Sequence, residues 1–245
     1  MTAQEFNDQF DVLYNNITSN QAPGLDEYEK SVFLTKAQDE IIKNYFLKQS
    51  NPKLAGFDNN QKRQIDFSNL IVSETLATDT KNFVSQPNAV SVNLDNLSEK
   101  LLLIINERIE VVRVYRNYKV IPLVIKSISF DEYDRLMQKP FKYPTYNQAW
   151  RLMVNGKISD IVIGPGDTVR NYYIRYIRKP KPIIVGELGN NVSIDDLHSP
   201  QTPVCELDPI LHQEILQRAV ELAKIAWANP NDNVQTLIQT GARSE

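Results

Sequence analysis

The first third of the chain repeats its apolar positions in steps of three and four. Phe6, Phe10, Leu13 and Ile17 share one helical face, behind Thr2 and Glu5. A hydroxyl and a carboxylate three residues apart can each accept a first-turn amide, so this pair predicts a helix start. Asp26 and Glu29 repeat the device ahead of a second stripe, Phe33, Ala37, Ile41 and Tyr45, which ends near Lys48. The stretches "NQAPGLD" and "NPKLAGFDNN" read as connections, and a third helix is expected from about Gln61 to Thr75. After "SQPNAV" the period shortens. "LLLIINERIEVVRVYRNYKVIPLVIKSI" is rich in β-branched residues and breaks at "RNYK", which predicts a hairpin. Ser129 and Glu132 open a short helix, "PFKYP" is expected to be extended between its prolines, and "AWRLMV", "DIVIG" and "TVRNYYIRYI" follow as strands. The turn between the last two carries "GPG" at residues 164–166.

Near the other end, "CELDPILHQEILQRAVELAKIAW" returns to helical spacing. Asp208 can cap the helix, Pro209 fits its first position, and Leu211, Ile215, Ala219, Leu222 and Ala226 form the stripe that Asn229-Pro230 stops. The expected fold class is α+β. N-terminal helices and the C-terminal helix make a bundle around a central, mostly antiparallel, sandwich-like β-sheet. The expected borders are 1–88 for the helical region, 89–186 for the sheet with its inserted helix, 187–229 for the loop and last helix, and 230–245 for a tail.

Composition narrows the class. A chain of 245 residues buries a proper core, and its single cysteine excludes an internal disulfide framework. No run approaches the roughly 20 apolar residues of a membrane span. The opening "MTAQEFNDQF" lacks the apolar heart of a signal peptide, so no membrane partner is expected. The net charge of −3 hides an asymmetry. Residues 111–182 carry 14 Lys and Arg against 5 Asp and Glu, a surplus of nine, whereas residues 1–110 and 183–245 each sum to −6. Opposite zones on one chain suit pairing between copies as well as binding to nucleic acid.

Candidate chemistry is thin. Cys205, His212 and Glu214 lie close in sequence, but His212 and Glu214 are about 200° apart on a helix and His198 sits in a loop. One cysteine with two such histidines does not make a zinc set, so no metal or cofactor is expected and the segment reads as a docking helix. The acidic runs "DEYD" (131–134) and "IDD" (194–196) are explained by a helix start and a loop, and no nucleophile has a recognisable surround. An enzyme is not expected. The strands "VRVYRNYK" and "VRNYYIRYIRKPKP" alternate cations with tyrosine, which leaves a nucleic-acid-binding module as the alternative reading.

Three ordered segments carry a resemblance: "FDEYDRLMQKPFKYPTYNQAWRL" (130–152), "YYIRYIRKPKPIIV" (172–185) and "CELDPILHQEILQRAVELA" (205–223). With "EFNDQFDVLYNNI" and "KAQDEIIKNYF", they resemble the ring or head–tail adaptor proteins of crAss-like tailed bacteriophages. These are similar in turn to the tail tubular adaptors of short-tailed phages. The resemblance implies a virion structural protein without an active site. It would form a ring, usually of twelve copies, below the portal protein at the tail vertex, after assembly in the host cytoplasm. Its partners would be copies of itself, the portal, neighbouring tail rings, and double-stranded DNA passing through the lumen without sequence-specific contacts. Within that frame Arg113, Arg116, Tyr118, Arg170, Arg175, Arg178 and Lys179 are the expected subunit or partner contacts. Val234, Leu237 and Ile238, the apolar kernel of the tail, are the expected portal contacts.

Overall fold

The computed structural model describes residues 1–15, 24–46, 65–113, 119–139, 144, 147–189 and 192–227. In chain order its elements are α1 (Ala3–Asn15), α2 (Glu27–Phe46), β1 (Ile71–Leu76), β2 (Ala89–Asn93), β3 (Leu101–Arg113), β4 (Lys119–Ser127), α3 (Phe130–Met137), β5 (Gln148–Met153), β6 (Ile158–Val162), β7 (Asp167–Arg178) and α4 (His212–Trp227). The class is α+β. The chain divides into two compact units, one made of Met1–Leu70 with Pro180–Glu245, the other of Ile71–Lys179. These borders fall earlier than the sequence suggested, at 70/71 in place of 88/89 and at 179/180 in place of 186/187.

The first unit is helical, and both capping boxes form. Thr2 N donates to Glu5 Oε2 (2.9 Å) and Glu5 N to Thr2 Oγ1 (3.2 Å). Asp26 N donates to Glu29 Oε2 (3.1 Å) and Glu29 N to Asp26 Oδ1 (2.7 Å). α4 packs against both α1 and α2, so each helix buries a band wider than one stripe. α1 buries Phe6, Phe10 and Tyr14, α2 buries Leu34, Ala37, Ile41 and Ile42, and α4 buries Ile215, Leu216, Ala219, Val220 and Ala223. Phe33, Leu13 and Leu222 are only half-buried and Ala226 is exposed. Ile17 and the side chain of Tyr45 lie outside the described residues. The last helix starts as expected. Asp208 Oδ1 accepts from Ile210 N (3.0 Å), and Pro209 opens a 3₁₀ turn, Pro209–Leu211, that runs into α4.

One feature of this unit has no counterpart in the apolar pattern. Residues 181–185 run extended along α2, and side chains of that helix satisfy their backbone. Val185 N donates to Ser31 Oγ (3.1 Å), Ile183 N to Thr35 Oγ1 (3.2 Å), and Lys181 O accepts from Gln38 Nε2 (3.0 Å). Positions 31, 35 and 38 lie on one helical face, so three polar groups four and three residues apart do the work of a neighbouring strand. Lys30, 6% exposed, is held between Asp11 Oδ2 (2.7 Å) and Asn7 Oδ1 (2.8 Å) of α1.

The second unit is a seven-stranded sheet in the order β1-β7-β3-β4-β5-β6-β2. Every pair is antiparallel except β4–β5, which is parallel and joined through α3. The hairpin β3–β4, α3, and strands β5 to β7 lie where the sequence placed them. The N-cap of α3 is Ser129, whose Oγ accepts from Glu132 N (3.2 Å). Gly166 takes the "GPG" turn at φ 79°, a conformation only glycine enters without strain.

The third helix is corrected. Residues 65–66 are helical and Ser68–Leu70 form a 3₁₀ turn, but Ile71–Leu76 are strand β1, paired with β7. Ile71, Val72 and Thr75 are β-branched, and pairing to a distant strand decides their state. Residues 61–64 and the segment "PFKYP", apart from Pro144, lie outside the described residues.

Three register shifts between β3 and β7 bend the pair, and the sheet curls. One face of all seven strands therefore meets in a single core, with Leu76, Val92, Ile109, Leu123, Ala149, Ile161 and Tyr172 among its members. On the opposite face, β2, β5 and β6 pack against Tyr133, Leu136 and Met137 of α3. β6 is thus covered on both sides. Its Asp160, fully buried, accepts from the backbone of Phe83 (2.6 Å) and Val84 (3.0 Å) through Oδ2.

Candidate functional site

β7 carries most of the residues singled out as contacts, and its alternation decides which of them reach the surface. Tyr172 and Tyr176 point into the core and are fully buried. The pairs Glu110↔Asn171 and Val111↔Val169 leave Arg170 as the extra residue of a bulge. The bulge switches parity, so that Thr168, Arg170 and Tyr173 are exposed and Arg175 is half-buried.

Cross-strand register sets the rows of the outer face. Ser73, Arg175 and Asn106 line up, as do Thr75, Tyr173, Arg108 and Val124. Tyr173 is 37% exposed and Val124 54%. Asn171 Nδ2 donates to Glu110 Oε2 (2.9 Å), and Tyr173 Oη donates to the same oxygen (3.2 Å), which holds the ring in place. Ser73, Glu74, Thr75, Asn106, Arg108, Tyr173, Ile174 and Arg175 enclose a shallow groove of about 460 Å³.

The inner face is polar at two places. Glu107 accepts from Tyr172 Oη, and Arg151 Nη1 donates to its Oε2 at 2.5 Å. Burial, then the Glu107 carboxylate, pushes the Tyr172 hydroxyl far above the ordinary tyrosine range. Glu74 Oε1 accepts from Tyr176 Oη (2.7 Å) and from Ser98 Oγ, and its Oε2 from Ser98 N (3.1 Å). Burial pulls the Glu74 carboxyl upward, but these hydrogen bonds outweigh it and hold the group below its usual value. Both sites are hydrogen-bonded scaffolds within the sheet. Neither points a proton donor or a nucleophile at open space.

Of the contacts expected from sequence, Arg170 is exposed, and Arg175, Arg178 and Lys179 are half-buried. Arg113 is different. It is 2% exposed, and its Nε reaches Asp167 Oδ1 at 3.0 Å and Oδ2 at 3.2 Å, so its charge is spent inside the sheet. Arg116, Tyr118, Val234, Leu237 and Ile238 lie outside the described residues. The groove also takes Ser73 and Thr75 from β1, a segment whose local pattern is helical, and Arg108, which nothing local in the sequence sets beside Tyr173.

The nearest approach to a metal or catalytic cluster resolves into packing. His212, 4% exposed, has Nδ1 3.1 Å from the Met1 amine, Nε2 3.3 Å from Leu207 O, and its ring 5.3 Å from that of Phe6. Burial, then the nearby amine, lowers its basicity. Cys205 donates from Sγ to Gln38 Oε1 (3.6 Å), and burial pushes its thiol up to about 11, away from the reactive thiolate. His198 is engaged with Val192 O (2.9 Å). Among the described residues no group of three or more His, Cys, Asp or Glu is placed to hold a metal ion.

A family model described as phage tail ring protein 3/4 matches residues 1–235. The chain belongs to that family. It is similar to "Ring protein 4/5" of Bacteroides phage crAss001, 42% identical over 250 residues that cover 100% of each chain. It is also similar to "Ring protein 3" of the same phage, 29% identical over 236 residues, 92% of this chain and 96% of that one.

Proposed function

We propose that the chain is a non-enzymatic structural subunit that closes into a ring, about twelve copies around, as a head-to-tail adaptor below the portal. The ring would surround the channel for double-stranded DNA and join capsid to tail. One observation carries the reading beyond the family: the two units carry opposite charge. The helical unit holds eleven Lys and Arg against nineteen Asp and Glu, a balance of −8, and the sheet unit sixteen against eleven, a balance of +5. A cyclic ring is built from heterologous contacts, in which one side of a subunit meets a different side of the next. Opposite charges on the two units supply such a pairing, steer the encounter and fix its register.

The same balance bears on the channel. Each phosphate held by a lysine or arginine would retain the duplex, so a conduit favours a lumen without a strong basic lining. The basic sheet unit is therefore assigned to neighbouring subunits, with Arg170, Arg175, Arg178 and Lys179 at or near the contact and Val234, Leu237 and Ile238 of the tail assigned to the portal. The alternative, a nucleic-acid module, draws on the tyrosines of β7. Two of those three are fully buried, which removes them as stacking platforms.

The test is mass by light scattering, with negative-stain imaging, of the purified chain with and without the portal protein of its own phage. A ring of about twelve copies that appears only with the portal is the expected result. A ring without the portal would move the chain to another place in the tail stack. A persistent monomer that shifts short DNA at low salt would favour the alternative. Arg175→Glu with Arg178→Glu should abolish the ring and leave DNA retention unchanged. The opposite outcome would put the basic face on the lumen.

A further inference from the structure

The curled sheet has two terminal strands, and they are finished differently. At β2 the edge is dressed. Asp79 N donates to Ser91 O (2.8 Å), Ser91 N donates back to Asp79 O (2.9 Å), and Asn82 Nδ2 donates to Ala89 O (2.8 Å). At β1 nothing comparable exists: among the described residues, no backbone bond is made on the side of Ile71–Leu76 away from β7.

Exposed edges are ordinarily blunted by lysine, proline, a bulge, an inward-pointing charge or very short length. β1 has none of the first three, and its one inward charge, Glu74, is held by Tyr176 and Ser98. The strand is six residues of "IVSETL" in unbroken register with β7. On its outer face Ile71 is half-buried, while Ser73 and Thr75 are small and exposed, so an incoming strand would meet little bulk at those two positions. Beside them lie Arg108, Tyr173 and Arg175, the walls of the groove already described.

We infer that an extended segment of a second copy of this chain, outside its own sheet, pairs along β1, so that main-chain bonds join each subunit of the ring to the next. The inference rests on the ring reading. A ring gives every copy a neighbour in one fixed orientation, which is the condition for a regular strand pairing. The acidic helical unit of that neighbour complements Arg108 and Arg175 next to the edge. Main-chain bonds along the edge then hold the subunits, while the outer-face side chains select the partner.

Hydrogen exchange on the monomer and on the assembled ring tests this directly. The amides of residues 71–76 that face away from β7 should slow by about tenfold or more on assembly, while amides in the centre of β3 stay unchanged. A photo-crosslinking residue in place of Ser73 identifies what covers the edge, and the expected product joins two copies of the chain. A ring whose β1 amides exchange as fast as the monomer's would overturn the strand-addition contact and leave the ring reading intact. A Ser73 crosslink to the portal alone would overturn it as well. Failure to form a ring under any condition, portal included, would sink the ring reading itself, and this contact with it.

Discussion

Glu107→Ala should lower the unfolding free energy by about 3–5 kcal/mol, seen as a fall in the denaturant midpoint at unchanged slope. Glu107 is 6% exposed and is the shared acceptor of Tyr172 and Arg151 in the core of the sheet. Removing it strands a guanidinium whose side chain is only 13% exposed and whose Nε already has no partner. It also leaves the hydroxyl of a fully buried tyrosine without its acceptor. The cost of taking these groups out of water stays, and the compensating charge is gone. Pairing Glu107→Ala with Arg151→Met should therefore hurt less than Glu107→Ala alone, because the second change removes the stranded cation. A loss under about 1 kcal/mol for the single variant would show that Arg151 escapes to solvent and that the network is not a core element.

Phe10→Ala is expected to cost a similar amount, about 3–5 kcal/mol, by a different route. The ring is fully buried in the helical unit and stacks on Tyr14 with centroids 6.1 Å apart and planes 24° from parallel. Alanine leaves a cavity between helices whose positions are fixed by their other contacts, so relaxation recovers little of the lost packing. Val12→Ala, on the same helix but at a residue 58% exposed, serves as the control and should shift stability by no more than about 0.5 kcal/mol. Equal effects from the two would mean that α1 is not packed as described.

Much of this fold is written locally. The capping pairs Thr2–Glu5 and Asp26–Glu29 and the Ser129 and Asp208 caps are short-range signals, and each appears in the structure at its residue. What failed was long-range. β1 read as helix because its strand partner, β7, lies about a hundred residues downstream, and local spacing carries no trace of that pairing. Arg113 read as a surface cation for the same reason. Its neutralising carboxylate, Asp167, is 54 positions away, brought near only by the β3–β7 register. The tyrosines of "NYYIRY" could be counted but not aimed, since a one-residue bulge at Arg170 resets which of them face out. The Ser31, Thr35 and Gln38 row has its acceptors and donors in a segment that no helix pattern announces.

That row has a consequence for the order in which a ribosome delivers the protein. The sheet unit is one continuous stretch, complete once Lys179 has emerged. The helical unit is not: α1 and α2 are made first, but α4 and the extended segment that ties to Ser31, Thr35 and Gln38 come after the whole sheet. At roughly 5–20 residues per second, the interval between the end of α2 and the end of α4 is on the order of 10–35 s. During it the apolar faces of the two early helices lack their main cover. Those faces are most open to premature association with other chains in this window.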